Sequence, residues 1–191
     1  NNPVHVKRIK AQKMLEFCKE QKPYQEYENG NNAFKSYDLD QAARWYESAL
    51  LTSNPELSFE IIIKQKEIGT ILLDSAFNHL ESIGFNKSEK LIRKARALTP
   101  DIEDKADRYL SKIYLLKGDV FYNAKNYDVA LENYNKAYKY NPKIRSNYIV
   151  KVRQVTNAIL DEANKAKDNG DILFALSSLK RLIELRPELE E

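Results

Sequence analysis

The sequence predicts an all-α protein: a stacked array of about nine helices paired as hairpins, in place of one closed globule. Three observations lead there. First, one spacing recurs: a small or apolar residue, an apolar or aromatic one four later, another three later, and a proline about five beyond. Ala42, Tyr46, Ala49 and Pro55 carry it, then Ser88, Ile92, Ala95 and Pro100, then Ala130, Tyr134, Ala137 and Pro142, then Ala175, Leu179, Leu182 and Pro187. The prolines stand 45, 42 and 45 residues apart. Second, the sequence between these marks has helical periodicity: Tyr109, Leu110, Ile113, Tyr114, Leu116, Val120 and Phe121 recur at three- and four-residue intervals, as in 109, 113, 116 and 120. Third, 191 residues with 42% apolar content, only 5 Gly and 6 Pro, and abundant Lys, Glu, Leu and Ala suit ordered helix with a substantial core.

Each unit reads as two helices around a short polar break. The breaks fall at residues 35–40, 84–87, 124–126 and 168–171, each with Gly, Asn or Asp to take the turn and cap the next helix. Every second helix ends at its proline, because the residue before a proline is pushed out of the α region. The next helix then starts from a cap such as Ser58 or Asp101.

The residues of this pattern resemble the tetratricopeptide repeat. In the third unit Gly118, Phe121, Ala130, Tyr134, Ala137 and Pro142 fall at that family's eighth, eleventh, twentieth, twenty-fourth, twenty-seventh and thirty-second positions. Gly30, Ala42, Tyr46 and Ala49 repeat the match in the first unit, with one extra residue before Pro55, whereas Ala76 and Ala163 replace the glycine in the second and fourth. The resemblance implies a right-handed superhelical α-solenoid of antiparallel hairpins with unit boundaries at 23–56, 57–102, 103–144 and 145–191. Ala11, Leu15, Cys18 and Pro23 fit the second half of a unit, implying that 4–22 is the back helix of a preceding, partial repeat and that the chain is a slice of a longer array. Starting at Asn1, it reads as a processed or excised piece.

The units exceed the family's standard 34 residues by roughly 8 to 12 before the front helices of the second, third and fourth. Phe59, Ile62, Ile63 and Lys66, then Ile102, Ala106, Tyr109 and Leu110, then Tyr148, Ile149, Val152 and Val155 keep the surplus helical. Front helices of about 24 to 27 residues, near 36 to 40 Å, are expected beside back helices half as long. The overhanging ends are expected to pack on adjacent overhangs, a second subunit or another domain.

Catalytic chemistry is not expected, nor a cofactor or metal. His5 and His79 are the only histidines, and no HExxH, GxSxG or GxxxxGK spacing occurs. His79 sits at an aromatic packing position and is expected to be core or semi-buried; Cys18 matches a buried small-residue position. One cysteine provides no internal disulfide framework and no CxxC site, which is compatible with cytoplasm or periplasm, a bacterial envelope included. No apolar run approaches the 18 or so residues of a membrane span, and residues 1–13 are charged where a signal sequence would be apolar.

A protein-interaction scaffold is the expected role, with a protein or peptide as partner and no small-molecule substrate. In relatives of this type the second, fifth, ninth and twelfth positions of the front helices line a concave groove for an extended peptide or partner helix. Here the resemblance places Tyr24, Tyr27, Asn31 and Phe34 there, then Thr70, Leu73, Phe77 and Leu80, then Lys112, Leu115, Asp119 and Tyr122, then Asn157, Leu160, Asn164 and Lys167. The alternative is that long front helices shift this register and bury several of these side chains. The carboxylate clamp of chaperone-tail receptors is not expected, since Asn31 and Lys112 fit it but Tyr27, Asp74 and Leu116 do not. Two other readings stay open. One is an RNA- or polyanion-binding array using Lys7, Arg8, Lys10 and Lys13, or Lys136, Lys139, Lys143, Arg145, Lys151 and Arg153 with interleaved Tyr138, Tyr140 and Tyr148. Nearby acids and a net charge of only +3, from 31 basic and 28 acidic residues, disfavour nucleic acid. The other is an oligomerisation module working through the overhangs.

Overall fold

The computed structural model describes residues 3–80 and 84–185. Among them lie eight α-helices and no strand: α1 Pro3–Lys35, α2 Leu39–Leu50, α3 Pro55–Asn78, α4 Phe85–Leu98, α5 Glu103–Asn123, α6 Tyr127–Tyr140, α7 Arg145–Asp168 and α8 Ile172–Glu184. Short 3-10 turns, Pro100–Ile102 and Pro142–Ile144, precede α5 and α7. The protein is all-α. Helices α3, α5 and α7 span 24, 21 and 24 residues, against 12 to 14 for α2, α4, α6 and α8, so the long–short alternation is present. The third front helix is shorter than expected because the turn at Pro100–Ile102 takes its first residues.

Three hairpin turns are built alike. Tyr37, Lys125 and Gly170 adopt φ of 60°, 58° and 79°, the left-handed conformation that ends a helix. The following Asp38, Asn126 and Asp171 each donate their backbone N–H to a carbonyl five residues back, on Ala33, Phe121 and Ala166. Asp38 and Asp171 then start the next helix, their side chains accepting from the backbone N–H of Gln41 and Phe174 at 3.0 and 3.1 Å.

The chain divides into two compact units, Asn1–Asp74 with Lys94–Ile102 and Ser75–Arg93 with Glu103–Glu191. In the first, the second half of α1 lies antiparallel to α2. Gly30 faces Tyr46 so closely that a Cβ would stand 2.5 Å from the ring, and the Tyr46 hydroxyl donates to Asn31 Oδ1 at 2.8 Å. One turn earlier Ser48 Oγ donates to the buried Glu26 at 2.8 Å. In the second unit α5 and α6 repeat this arrangement. Gly118 admits the Tyr134 ring in the same way, and the Tyr134 hydroxyl donates to Asp119 Oδ1 at 2.7 Å. Helix α7 lies against α6, with Tyr148 stacked on Tyr138 at 4.7 Å and its hydroxyl donating to Asn135. Tyr127, Ala130, Tyr134, Tyr148, Val155 and Ile159 form one buried cluster in this unit. Burying each large side chain of this kind contributes about 1.5 to 3 kcal/mol.

Several expectations are corrected. Residues 4–22 are no separate back helix: α1 runs unbroken from Pro3 to Lys35 with Pro23 inside it, and the described residues hold eight helices where about nine were expected. A proline removes one backbone hydrogen bond and strains the turn before it, at about 3 kcal/mol, but the favourable residues on both sides carry the helix through. Cys18 is exposed, as are its neighbours along the first half of α1, residues 4–22. His79 is also exposed, one residue past the end of α3. Of the expected overhang residues, Phe59, Ile62 and Ile63 face outward, whereas Tyr148 and Val155 are core. Pro187, the last of the four prolines, lies outside the described residues.

Candidate interaction surface

In the first unit the expected groove residues share one stretch of α1. Tyr24 is exposed and its hydroxyl accepts from Asn54 Nδ2 at 2.8 Å. The Tyr27 ring lies 5.8 Å from that of Tyr46. Burial raises the pKa of its hydroxyl above the ordinary value, the Asn31 hydrogen bond opposes that, and the Glu60 charge adds to it. Asn31 is committed to Tyr46. Phe34 is half-buried beneath Lys64, whose Nζ stands 5.4 Å from the ring centre. Beside it opens a cleft of about 410 Å³ lined by Phe34, Ile63, Lys66, Glu67, Thr70 and Ile71.

Cations and carboxylates rim that cleft. Lys64 pairs with Glu67 at 2.8 Å and Lys66 with Asp101 at 3.4 Å. Leu73 is not part of the surface: it is fully buried and belongs to the core. The register drawn from the resemblance placed it one helical face away from where the packing of α3 puts it. Ile63 and Ile71 took no part in the expected groove. Their signal was present, since residues 63, 66, 67, 70 and 71 mark one face of a helix, but nothing in α3 alone says that Phe34 stands opposite.

In the second unit Phe77 and Tyr109 stack at 4.7 Å. Lys112 Nζ lies 5.0 Å from the first ring and 5.9 Å from the second. Leu80 is half-buried. Leu115 and Tyr122 lie half-buried against the core, with Tyr122 5.7 Å from the Tyr127 ring. Asp119 accepts both the Tyr134 hydroxyl and Lys151 Nζ, the latter at 2.6 Å, so its carboxylate is engaged in holding α5, α6 and α7 together. Asn157, Leu160, Asn164 and Lys167 are exposed. The aromatic and polar positions are thus accessible in part, and Asn31, Leu73 and Asp119 serve the fold itself.

The basic stretches differ from each other. Lys7, Arg8, Lys10 and Lys13 are exposed on α1. In the second unit Lys136 pairs with Glu132 at 2.6 Å. Tyr138 is stacked on buried Tyr148, and Tyr140 on Tyr114 at 5.7 Å. Arg93 lies over Tyr140 and donates to Glu89, which also accepts from the Tyr114 hydroxyl at 2.7 Å. Burial would raise the Glu89 pKa, but these two bonds outweigh it and hold the carboxyl below its ordinary value.

Among the described residues no group of three or more His, Cys, Asp or Glu is placed to hold a metal ion. No described helix is long and apolar enough to cross a membrane. Fold and surface together define the class, an all-α protein of helix hairpins. No protein-family model matches the chain, and no curated protein matches it.

Proposed function

We propose that this chain is a non-catalytic protein-interaction scaffold, a right-handed superhelical array of tetratricopeptide-like hairpins that holds an extended peptide or a partner helix along its front helices. The observation that carries the reading is the cleft beside Phe34. Its apolar floor of Phe34, Ile63 and Ile71 suits an aliphatic or aromatic anchor, and Thr70, Lys66 and Glu67 at its edge offer donors and acceptors to a peptide backbone. A protein partner is favoured over RNA because Tyr138, Tyr140 and Tyr148, which would have to stack bases, are already stacked on other tyrosines.

The reading is tested by selecting binders from a random peptide library on this chain and measuring them by fluorescence anisotropy. Selected peptides should share an apolar anchor, and Phe34→Ala should weaken them by about 2 kcal/mol, near 30-fold, with helicity unchanged. Peptides whose affinity ignores Phe34→Ala and Ile71→Ala would place recognition elsewhere and overturn the assignment of this cleft.

A further inference from the structure

We propose that Asn169 is a site of spontaneous chemical modification: in the folded protein its side-chain amide is lost to the backbone nitrogen of Gly170, and the turn between α7 and α8 ages into aspartate and isoaspartate. Asn-Gly occurs twice in the chain, at 29–30 and at 169–170. Glycine favours this reaction because it has no Cβ to crowd the attacking nitrogen and its backbone turns freely. The two sites differ in what holds them. Gly30 is buried within α1 with the Tyr46 ring against it, so ring closure there needs α1 to come away from α2. Asn169 and Gly170 are exposed in a hairpin turn, and a Cβ at Gly170 would meet no described atom within 4 Å. The turns at 36–38 and 124–126 are built alike but carry Ser36-Tyr37 and Ala124-Lys125 where this one has Asn169-Gly170. Tyr37 and Lys125 adopt the left-handed conformation without being glycine, so the turn does not require Gly170. Both of those turns are exposed although further helices follow them, so exposure belongs to the turn itself.

Geometry sets the route. Asn169 has φ −83° and ψ 0°, and the Gly170 N–H donates to the Lys167 carbonyl at 3.0 Å. Ring closure needs that bond broken and ψ rotated away from 0°, a local opening at the end of α7 that leaves the buried Val155, Ile159 and Ala163 in place. The Gly170 nitrogen then attacks Asn169 Cγ, its proton passes to the departing amide nitrogen, and ammonia leaves as a five-membered imide closes. Water opens the imide at either carbonyl. Addition at the side-chain carbonyl leaves aspartate; addition at the main-chain carbonyl leaves isoaspartate, with the chain routed through Cβ and Cγ. Either product puts a new carboxylate between Asp168 and Asp171 at the C-terminal end of α7, the end that disfavours anions. Isoaspartate also lengthens the main chain by one methylene. That takes the N–H groups of Gly170 and Asp171 out of register with the carbonyls of Lys167 and Ala166, and it slackens the cap that Asp171 gives to α8.

Peptide mapping by mass spectrometry tests this on the 191-residue chain aged at mildly alkaline pH and physiological temperature. Conversion should appear at Asn169, with isoaspartate the larger product, at least about 10-fold faster than at Asn29. In concentrated urea, where neither turn nor helix is held, the two sites should react at similar rates. Asn169→Ala and Gly170→Lys copy the residues of the α5–α6 turn, so circular dichroism should be unchanged; the first should abolish the conversion and the second should slow it to the rate of Asn29. The aged protein should lose hydrogen-exchange protection over residues 166–176 ahead of residues 150–160, a loss that Asn169→Asp reproduces only in part. A native chain in which Asn169 stays intact, or in which Asn29 keeps pace with it, overturns the proposal. So does conversion that Gly170→Lys leaves unchanged, because the imide would then not be its route. None of these measurements involves the cleft beside Phe34, so peptide binding and ageing of this turn fail or succeed separately.

Discussion

Gly30 and Gly118 are where single atoms decide the packing. Each lies under the edge of a tyrosine ring, and the tyrosine hydroxyl is held by the very next residue, Asn31 or Asp119. The absence of a side chain is what lets the ring lie against the helix backbone. Gly118→Ala is therefore expected to cost about 1 to 3 kcal/mol in urea unfolding, the range for forcing extra volume into a packed site. Combining it with Tyr134→Leu should give less than the sum of the two single losses, because the clash is with that ring; additive losses would mean that the ring is not what the new methyl meets. At this scale the sequence was legible: glycine and tyrosine at fixed spacing announce close approach. Leu73 was not, because one residue of register moves a side chain from groove to core and only the packing of α3 sets that register.

Among the elements, α1 departs most from expectation. Its first half is exposed along its length and its second half is packed against α2, although one continuous helix spans both. An unpacked helix has only its own marginal stability, so backbone protection is expected to divide within α1. Hydrogen exchange at low concentration should show residues 5–20 exchanging far faster than residues 24–34, and Cys18 should react with a thiol reagent in the native state. Equal protection along α1 would contradict the exposed first half. The proline at position 23 looked like a helix end because Pro55, Pro100 and Pro142 each open or precede a helix; here the flanking residues favour helix strongly enough to continue through it. By contrast, the three hairpin turns were readable in the sequence, because polar capping residues and a left-handed residue act within a few positions of each other.

Across the whole molecule, stability is tied to tyrosine hydroxyls. Burial pushes Tyr46 up to about 12, and burial followed by the Glu89 bond pushes Tyr114 up to about 12. Tyr134 is raised further, by burial first and then by the Asp119 bond. A phenol whose pKa is higher folded than unfolded resists deprotonation in the native state. Its stabilisation is complete below the unfolded value of 10 and is lost as pH climbs from there through the folded value. Urea unfolding midpoints are expected to hold up to about pH 9 and to fall steeply between pH 10 and pH 12, with tyrosinate absorbance rising together with unfolding. Tyr46→Phe and Tyr114→Phe together should flatten that fall; an unchanged profile would show that other groups govern it. The sequence by itself determined the helical character, the long–short alternation and the hairpin turns, since periodicity, composition and capping act over neighbouring residues. Only the tertiary structure decided that α1 is one helix with a bare first half, that Leu73 and Asp119 serve the fold, and that Phe34 faces α3 across a cleft. Those outcomes depend on which surfaces meet across long stretches of chain, and an order of residues carries no record of an approach that has yet to happen.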